Sequence, residues 1–564
     1  MTKIAASLLL VTLLLSSCGP AATPTPTPAP TLTPTPTVLP TSTPTATPVP
    51  PTPTPAPTRV WLDPAVPVAV RDPVVAALAG QYIARATSAE SADLIVGLNL
   101  PVKLGNWIYA VVAPFPTLAD GVQWVDIGRF WAGESGALSE VSGDDVTPTL
   151  FVSPETVGVL FGLLGMPGAG VPIEVAEPAE LVEKTWAARP HAWAIVPFDE
   201  LEPRWKVLSV DGASVLDKQL DIKDYPLAVT IGAAGAGAET LAAAVLKDGR
   251  LLMNRDTGQM TVLLMTGVTA LTRNLAYRMD EKGVLYPAEK IGAILQEADI
   301  THISNEVSFT PDCPAPRWNS GTLTFCSAPE YIGLIRDAGV DVIELTGNHL
   351  KDYGTQPLSN TLTLFQQEGW PYFGGGENLE KARQPVVLTS NGSDVGFAGC
   401  NWWGPPSVWA TENLPGAAPC YEPAEMDYMR QVVTETVATV DVLVFTFQYL
   451  ETEEYTPTTQ QRTDFRAMVD AGATIVSGSQ SHQPQAIEFY NDGFIHYGLG
   501  NLFFDQMYST AVRQEMADRH IIYKGRHIST ELLTFMLEDY SQPRPMTEQE
   551  RRDLLRAVFK ASGW

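Results

Sequence analysis

From Met260 to about Glu538, short apolar runs alternate with segments of helical period. A chain that keeps this rhythm is confined to α/β architectures, because each apolar strand must be covered by the helix that follows it. Met260–Gly267 reads as a buried strand, Ala288–Ala298 as a helix and Ile300–Ser304 as a strand. Pro329–Ala338, Val342–Leu345, Gln356–Glu368, Val440–Phe447, Thr463–Ala471 and Thr474–Ser477 continue it, and Asn491-Asp492-Gly493 turns a hairpin between Ala486–Tyr490 and Phe494–Gly498. Polar residues gather where three of these strands end: Ser304-Asn305-Glu306, Leu345-Thr346-Gly347-Asn348-His349 and Ser477-Gly478-Ser479-Gln480-Ser481-His482. In open α/β sheets that edge is where sites form, and Glu306, Asn348, His349 and His482 make a hard-metal or acid–base set.

A second, smaller α/β pattern precedes it, from Arg59 to about Ala236, with strands at Val60–Leu62, Ala92–Gly97 and Ile108–Ala113 and a helical stretch at Pro73–Arg85. Upstream, Pro20–Thr58 holds 15 prolines and no charge. So many missing N–H groups exclude a helix or a ladder and favour an extended polyproline stalk of up to ~120 Å. Met1–Cys18 has one Lys, an apolar run too short to span a bilayer and a small-residue end, the pattern of an export signal. Its Leu15-Ser16-Ser17-Cys18 resembles a bacterial lipobox, which implies acylation of Cys18 and a protein held on the outer face of the cell membrane, extracellular or periplasmic. The expected division is thus 1–18 lipoprotein signal, 19–58 linker, 59–236 first α/β domain, 260–540 second α/β domain and 541–564 a C-terminal helical tail.

Composition narrows the partners. With 36 Lys+Arg against 63 Asp+Glu the net charge is −27, and no basic run offsets it, which argues against a nucleic-acid partner. Beyond Cys18 four cysteines remain, an even number suited to two disulfides in an exported chain. The sequence-local pairing, Cys313–Cys326 and Cys400–Cys420, is one of three connectivities, and a zinc site lacks the usual C-x₂-C spacing. Trp318, Tyr331, Trp402 and Trp403 are candidates for an aromatic sugar or peptide platform, or for core packing.

Two resemblances add to this. Ala192–Phe198, Val207–Gly212 and Tyr225-Pro226-Leu227 resemble the second half of periplasmic substrate-binding proteins of the phosphate-binding type. No Ser/Thr/Gly phosphate-cradling loop accompanies them, so the domain either binds a ligand or only supports its neighbour. Over 260–510, Gly347-Asn348-His349-Leu350-Lys351-Asp352-Tyr353-Gly354, Pro371–Asn378 with Ala382-Arg383 and Pro385, Gly478–His482 and Tyr497–Gln506 follow in order the motifs of the bacterial capsule synthesis (CapA, poly-γ-glutamate synthesis) family. That resemblance implies a four-layer calcineurin-like metallophosphoesterase sandwich for the C-terminal domain. It also implies a divalent metal ion on Glu306, Asn348 and His482, with His349, Asp352 and Gln480 as the catalytic set.

The departures from the family pattern bear on mechanism. Val268 stands where the family has an Asp, Ser304 replaces an Asn, Gln480 replaces a His, and Gln448–Tyr455 replaces a His-Trp-Gly segment. A two-metal centre needs several carboxylate and imidazole ligands, and the retained residues suit one weakly held ion. Asn348 and His349 are also explained as caps of a turn bonded to Asp352, His482 as a loop histidine, and Asn501 as a residue serving backbone geometry. Three functions are consistent with these residues: a surface lipoprotein of capsule or cell-envelope polymer synthesis, a metal-dependent hydrolase, and an extracellular binding module that keeps only the cleft.

Overall fold

The computed structural model describes residues 56–564, and Pro57–Trp564 forms one compact unit. The export signal, Cys18 and nearly all of the Pro/Thr-rich linker lie outside the described residues. The fold is mixed α/β with several sheets.

In the first part of the chain, one sheet runs Ile83–Arg85, Thr58–Leu62, Leu94–Leu98, Ala228–Gly235, Val102–Pro114, Ala192–Pro197, Thr149–Val152, Ile173–Val175. The 13-residue strand Val102–Pro114 is the spine: its first half pairs with Ala228–Gly235 and its second with Ala192–Pro197, so two lobes share one continuous strand. The helical stretch expected at Pro73–Arg85 is corrected here. The helix is Val68–Leu78, with Pro73 inside it, and Ile83–Arg85 is an edge strand. Val70, Val74 and Leu78, one turn apart, are the buried residues, and their burial sets the helix in place of the proline.

The second part holds two larger sheets. One runs Tyr372–Phe373, Val342–Glu344, Ile300–Asn305, Met260–Thr266, Gln514–Tyr523, Arg526–Glu538, Gln542–Pro545, with Val268–Thr269 and Asn501–Phe503 attached at its edge. The other runs Val386–Ser390, Ser393–Asn401, Val442–Gln448, Ile475–Ser479, Gly493–His496, Ile487–Tyr490. Strand alternation divides the side chains: Leu263, Met265, Phe397, Val442 and Val444 share one core between the sheets. Leu264, Ile303 and Ile343 face the opposite way, onto the helices at 273–282, 332–337 and 355–368. Leu443, Phe445 and Val476 pack on the helices Pro423–Val437 and Thr459–Asp470. The antiparallel pair Gln514–Tyr523 and Arg526–Glu538 has no counterpart in the strand–helix rhythm read from the sequence.

Cys313–Cys326 and Cys400–Cys420 are bonded, with Cα–Cα separations of 5.7 and 5.9 Å. The last helix, Glu548–Ser562, buries Leu554, Leu555, Val558 and Phe559 in the core between the sheets. The two parts of the chain share packing: Met260, Val262, Ile521, Tyr523 and Ile528 join the core of the first part, and Phe115 joins that of the second.

Candidate functional site

Glu306, Asn348 and Gln480 come from the ends of three strands, and the side chain that joins them is Gln448, at the end of Val442–Gln448. Gln448 Nε2 donates to Glu306 Oε1 at 3.1 Å and to Asn348 Oδ1 at 3.2 Å, and its third acceptor is Gln480 Oε1. Ser479 Oγ donates to Gln448 Oε1 at 2.6 Å, which fixes the amide with its nitrogen toward the three oxygens. Glu306 and Gln448 are 1% and 0% exposed, so these bonds form out of reach of bulk water. Glu306 Oε2, Asn305 Oδ1 and Thr269 Oγ1, on neighbouring strand ends, are buried without a partner.

Backbone geometry brings these ends together. Gly347 passes so close to Glu306 that a Cβ would lie 2.6 Å from its Cα. After Ile475–Ser479 the chain turns with Gln480 and His482 both at positive φ, 79° and 57°. Non-glycine residues hold that conformation at a cost of ~1–3 kcal/mol, which the surrounding contacts must offset.

Two histidines flank the amide cluster. His482 Nδ1–H donates to Asn501 Oδ1 at 3.1 Å, and its Nε2 lies 3.4 Å from Glu451 Oε1. Burial disfavours the imidazolium, but Glu451, Glu306 and Asn501 outweigh it, and the pKa stands above the usual histidine value. His349 Nδ1 is 2.6 Å from Asp352 Oδ2. Here too burial opposes the charge while Asp352 and Glu306 raise the pKa above its ordinary value. Phe325 closes this side: its N–H donates to Asp352 Oδ2 at 2.8 Å and its ring lies 4.2 Å from that of His349, held by the adjacent Cys313–Cys326 bond.

All six residues expected to carry chemistry therefore lie in one region: Glu306, Asn348 and Gln480 around the Gln448 amide, His349 with Asp352, and His482 close enough for Glu306 to act on both histidines. The organising residue is Gln448, which the sequence marked only as the first residue of the segment replacing the family's His-Trp-Gly; its pairing opposite Ser479 is set by the strands. Asn501, read as serving backbone geometry, uses its side chain to orient His482. Trp318 packs with Tyr277 and Tyr540, and Trp402 stacks on Tyr449 at 4.4 Å, so these aromatics belong to separate groups.

The residues do not fit a two-metal centre. Where such a centre needs carboxylates and imidazoles around a cation, an N–H₂ group of the protein sits among the three oxygens. Among the described residues, no three His, Cys, Asp or Glu side chains form a group able to hold a metal ion. Val268, in the place of the family's Asp, is fully buried and pairs with Asn501 and Ser304.

Residues 262–506 match the family described as bacterial capsule synthesis protein PGA_cap. This region is similar to that family. Capsule biosynthesis protein CapA of Bacillus anthracis is 27% identical over 240 residues, 42% of this chain and 58% of that protein. PGA biosynthesis protein CapA of Bacillus subtilis is 28% identical over 197 residues, 35% and 51% of the two chains. The chain thus spans about half the length of the curated relatives it matches. Among solved structures, a hypothetical protein from Thermus thermophilus aligns over 49% of this chain and all of its own at 13% identity, with a TM-score of 0.30. An ABC-type phosphate transport receptor from Vibrio cholerae aligns over 34% of this chain and 94% of its own at 10% identity, with a TM-score of 0.28. No helix among the described residues is long and apolar enough to cross a membrane.

Proposed function

We propose that this protein is a surface lipoprotein of the CapA type, anchored through Cys18. It takes part in the biosynthesis or handling of poly-γ-glutamate or another cell-envelope polymer, and its family site works by hydrogen bonding and charge. The observation that carries the site reading is the Gln448 amide, which donates toward Glu306, Asn348 and Gln480 where hydrolysis would call for a cation. The family match and the CapA relatives support the role in polymer synthesis. Two sheets sharing a core, with helices on their outer faces, support the four-layer metallophosphoesterase-like sandwich. The net charge of −27 disfavours unaided capture of a long polyanion, so the site takes a short segment or chain end whose N–H groups meet Glu306 Oε2.

Deleting the gene in its host and measuring surface polymer after acid hydrolysis tests this reading. We expect a loss of polymer that wild type restores and Glu306→Ala with His482→Ala does not; unchanged polymer on deletion would overturn the role. The second reading, a hydrolase using one divalent ion on Glu306, Asn348 and His482, rests on the orphaned carboxylate oxygen and is decided by elemental analysis of the purified protein. Stoichiometric metal lost in Glu306→Ala and His482→Ala would favour it over the metal-free site.

A further inference from the structure

Where the two parts of the chain meet, a pocket of ≈ 380 Å³ opens beside the last helix, a volume within the ~300–1,000 Å³ of sites that take small molecules. Three segments distant in sequence build it. Pro114–Leu118 leaves the end of the strand Val102–Pro114, Arg189-Pro190 follows the helix Pro178–Ala187, and Arg556, Phe559 and Lys560 lie on one face of the helix Glu548–Ser562 at a spacing of three and four residues.

The floor is apolar and held in place. Trp564 stacks on Phe489 at 5.8 Å and meets Phe115 and Trp186 edge-on at 5.9 and 5.8 Å. Lys206 donates from Nζ to Thr117 O at 2.8 Å, which ties down the wall formed by Thr117 and Leu118. Leu118, Pro190 and Phe559 complete the apolar lining. Walls that are already ordered lose little freedom when a ligand enters.

The rim carries charge of one sign. Arg189, Arg556 and Lys560 line the pocket, and no Asp or Glu does. Among the described residues no carboxylate pairs with Arg189 or Lys560. Arg556 has only Asp553, three residues back on its own helix, at 3.8 Å and open to solvent, a contact that contributes little. The Arg189 guanidinium lies 4.9 Å from the Trp186 ring and donates from Nη1 to Trp186 O at 2.7 Å, and its other N–H groups have no acceptor among the described residues. In a chain of net charge −27, three cations gathered on one apolar pocket without an acid run against the composition. An anion relieves their mutual repulsion, and for a group seated among them the more distant negative surface is screened over ~10 Å.

We propose that this pocket binds a small organic anion with an apolar tail, a medium-chain carboxylate in type, whose carboxylate is received by Arg189, Arg556 and Lys560 while its tail lies on Leu118, Phe559 and Trp564. The pocket shares no residue with the site around Gln448, so this is a second binding activity. An inorganic anion leaves the apolar floor unused, and an alkylammonium meets three like charges.

The test is calorimetric titration of the full-length protein with sodium octanoate, sodium acetate and n-octylammonium chloride in turn. Octanoate should bind saturably at one site, acetate at least tenfold more weakly, and octylammonium with no saturable heat. Lys560→Gln and Arg556→Gln, both at exposed positions on the last helix, should each weaken octanoate about tenfold. Raising the salt concentration should weaken it further. Acetate or octylammonium binding as tightly as octanoate would overturn the proposal. So would octanoate affinity unchanged in both variants, or no saturable binding of octanoate to the wild type.

Discussion

Gln448 shows how much one side chain decides. An amide with its N–H₂ among three side-chain oxygens serves as a neutral stand-in for a cation: it holds Glu306, Asn348 and Gln480 together without changing the charge of the cluster. Removing it should strand those oxygens in a site that is almost wholly buried. Gln448→Ala is expected to destabilise the protein by about 2–4 kcal/mol, measured by urea unfolding, because buried acceptors left unpaired keep their full desolvation cost. Val268 and Gln480 were legible in the sequence as departures from the family pattern. That Gln448 fills the centre was not, since it needs the strands Ser393–Asn401, Val442–Gln448 and Ile475–Ser479 in register, so that Gln448 stands opposite Ser479.

Elements were legible where one local signal sufficed. Met260–Thr266 and Val442–Gln448, buried along their whole length, read as strands from their apolar runs alone. The helix Val68–Leu78 was misplaced because Pro73 carries a local signal that burial of Val70, Val74 and Leu78 overrides. The strands Gln514–Tyr523 and Arg526–Glu538 interleave polar and apolar residues, and they carry two buried histidines whose role appears only when the strands pair. His527 is held at a pKa of about 4 by burial, and His520 well below its usual 6.5 by burial together with His527 and His496. Both are neutral in the fold, so below pH 6.5 the unfolded chain binds protons that the fold refuses. Their neutral state is fully compatible with folding above that pH, and stability falls as pH drops from 6.5 toward about 4. His527→Asn should flatten the pH dependence of the urea midpoint in this window. A difference on the order of 3 kcal/mol between its ends is the part assigned to His527.

At the scale of the molecule, the two α/β parts behave as one body. Tyr523 O–H donates to Asn254 O at 2.9 Å, Arg551 pairs with Asp120 at 2.8 Å, Lys218 pairs with Asp299 at 2.7 Å, and Phe115 packs edge-on against Phe489 at 5.0 Å. Such a shared core should unfold together, and calorimetry of the full chain is expected to give one transition. Phe115→Ala should lower its midpoint, by a loss of about 3–5 kcal/mol, or split it in two. The sequence by itself determined the α/β rhythm, the net charge, the cysteine count and the strand ends that carry polar residues, because each depends on composition or on neighbours along the chain. Only the tertiary structure decided that Gln448 occupies the centre of the site, that Asn501 orients His482, and that both parts share a core. Each of those contacts joins residues distant in sequence, and no local pattern encodes a distance that only packing sets.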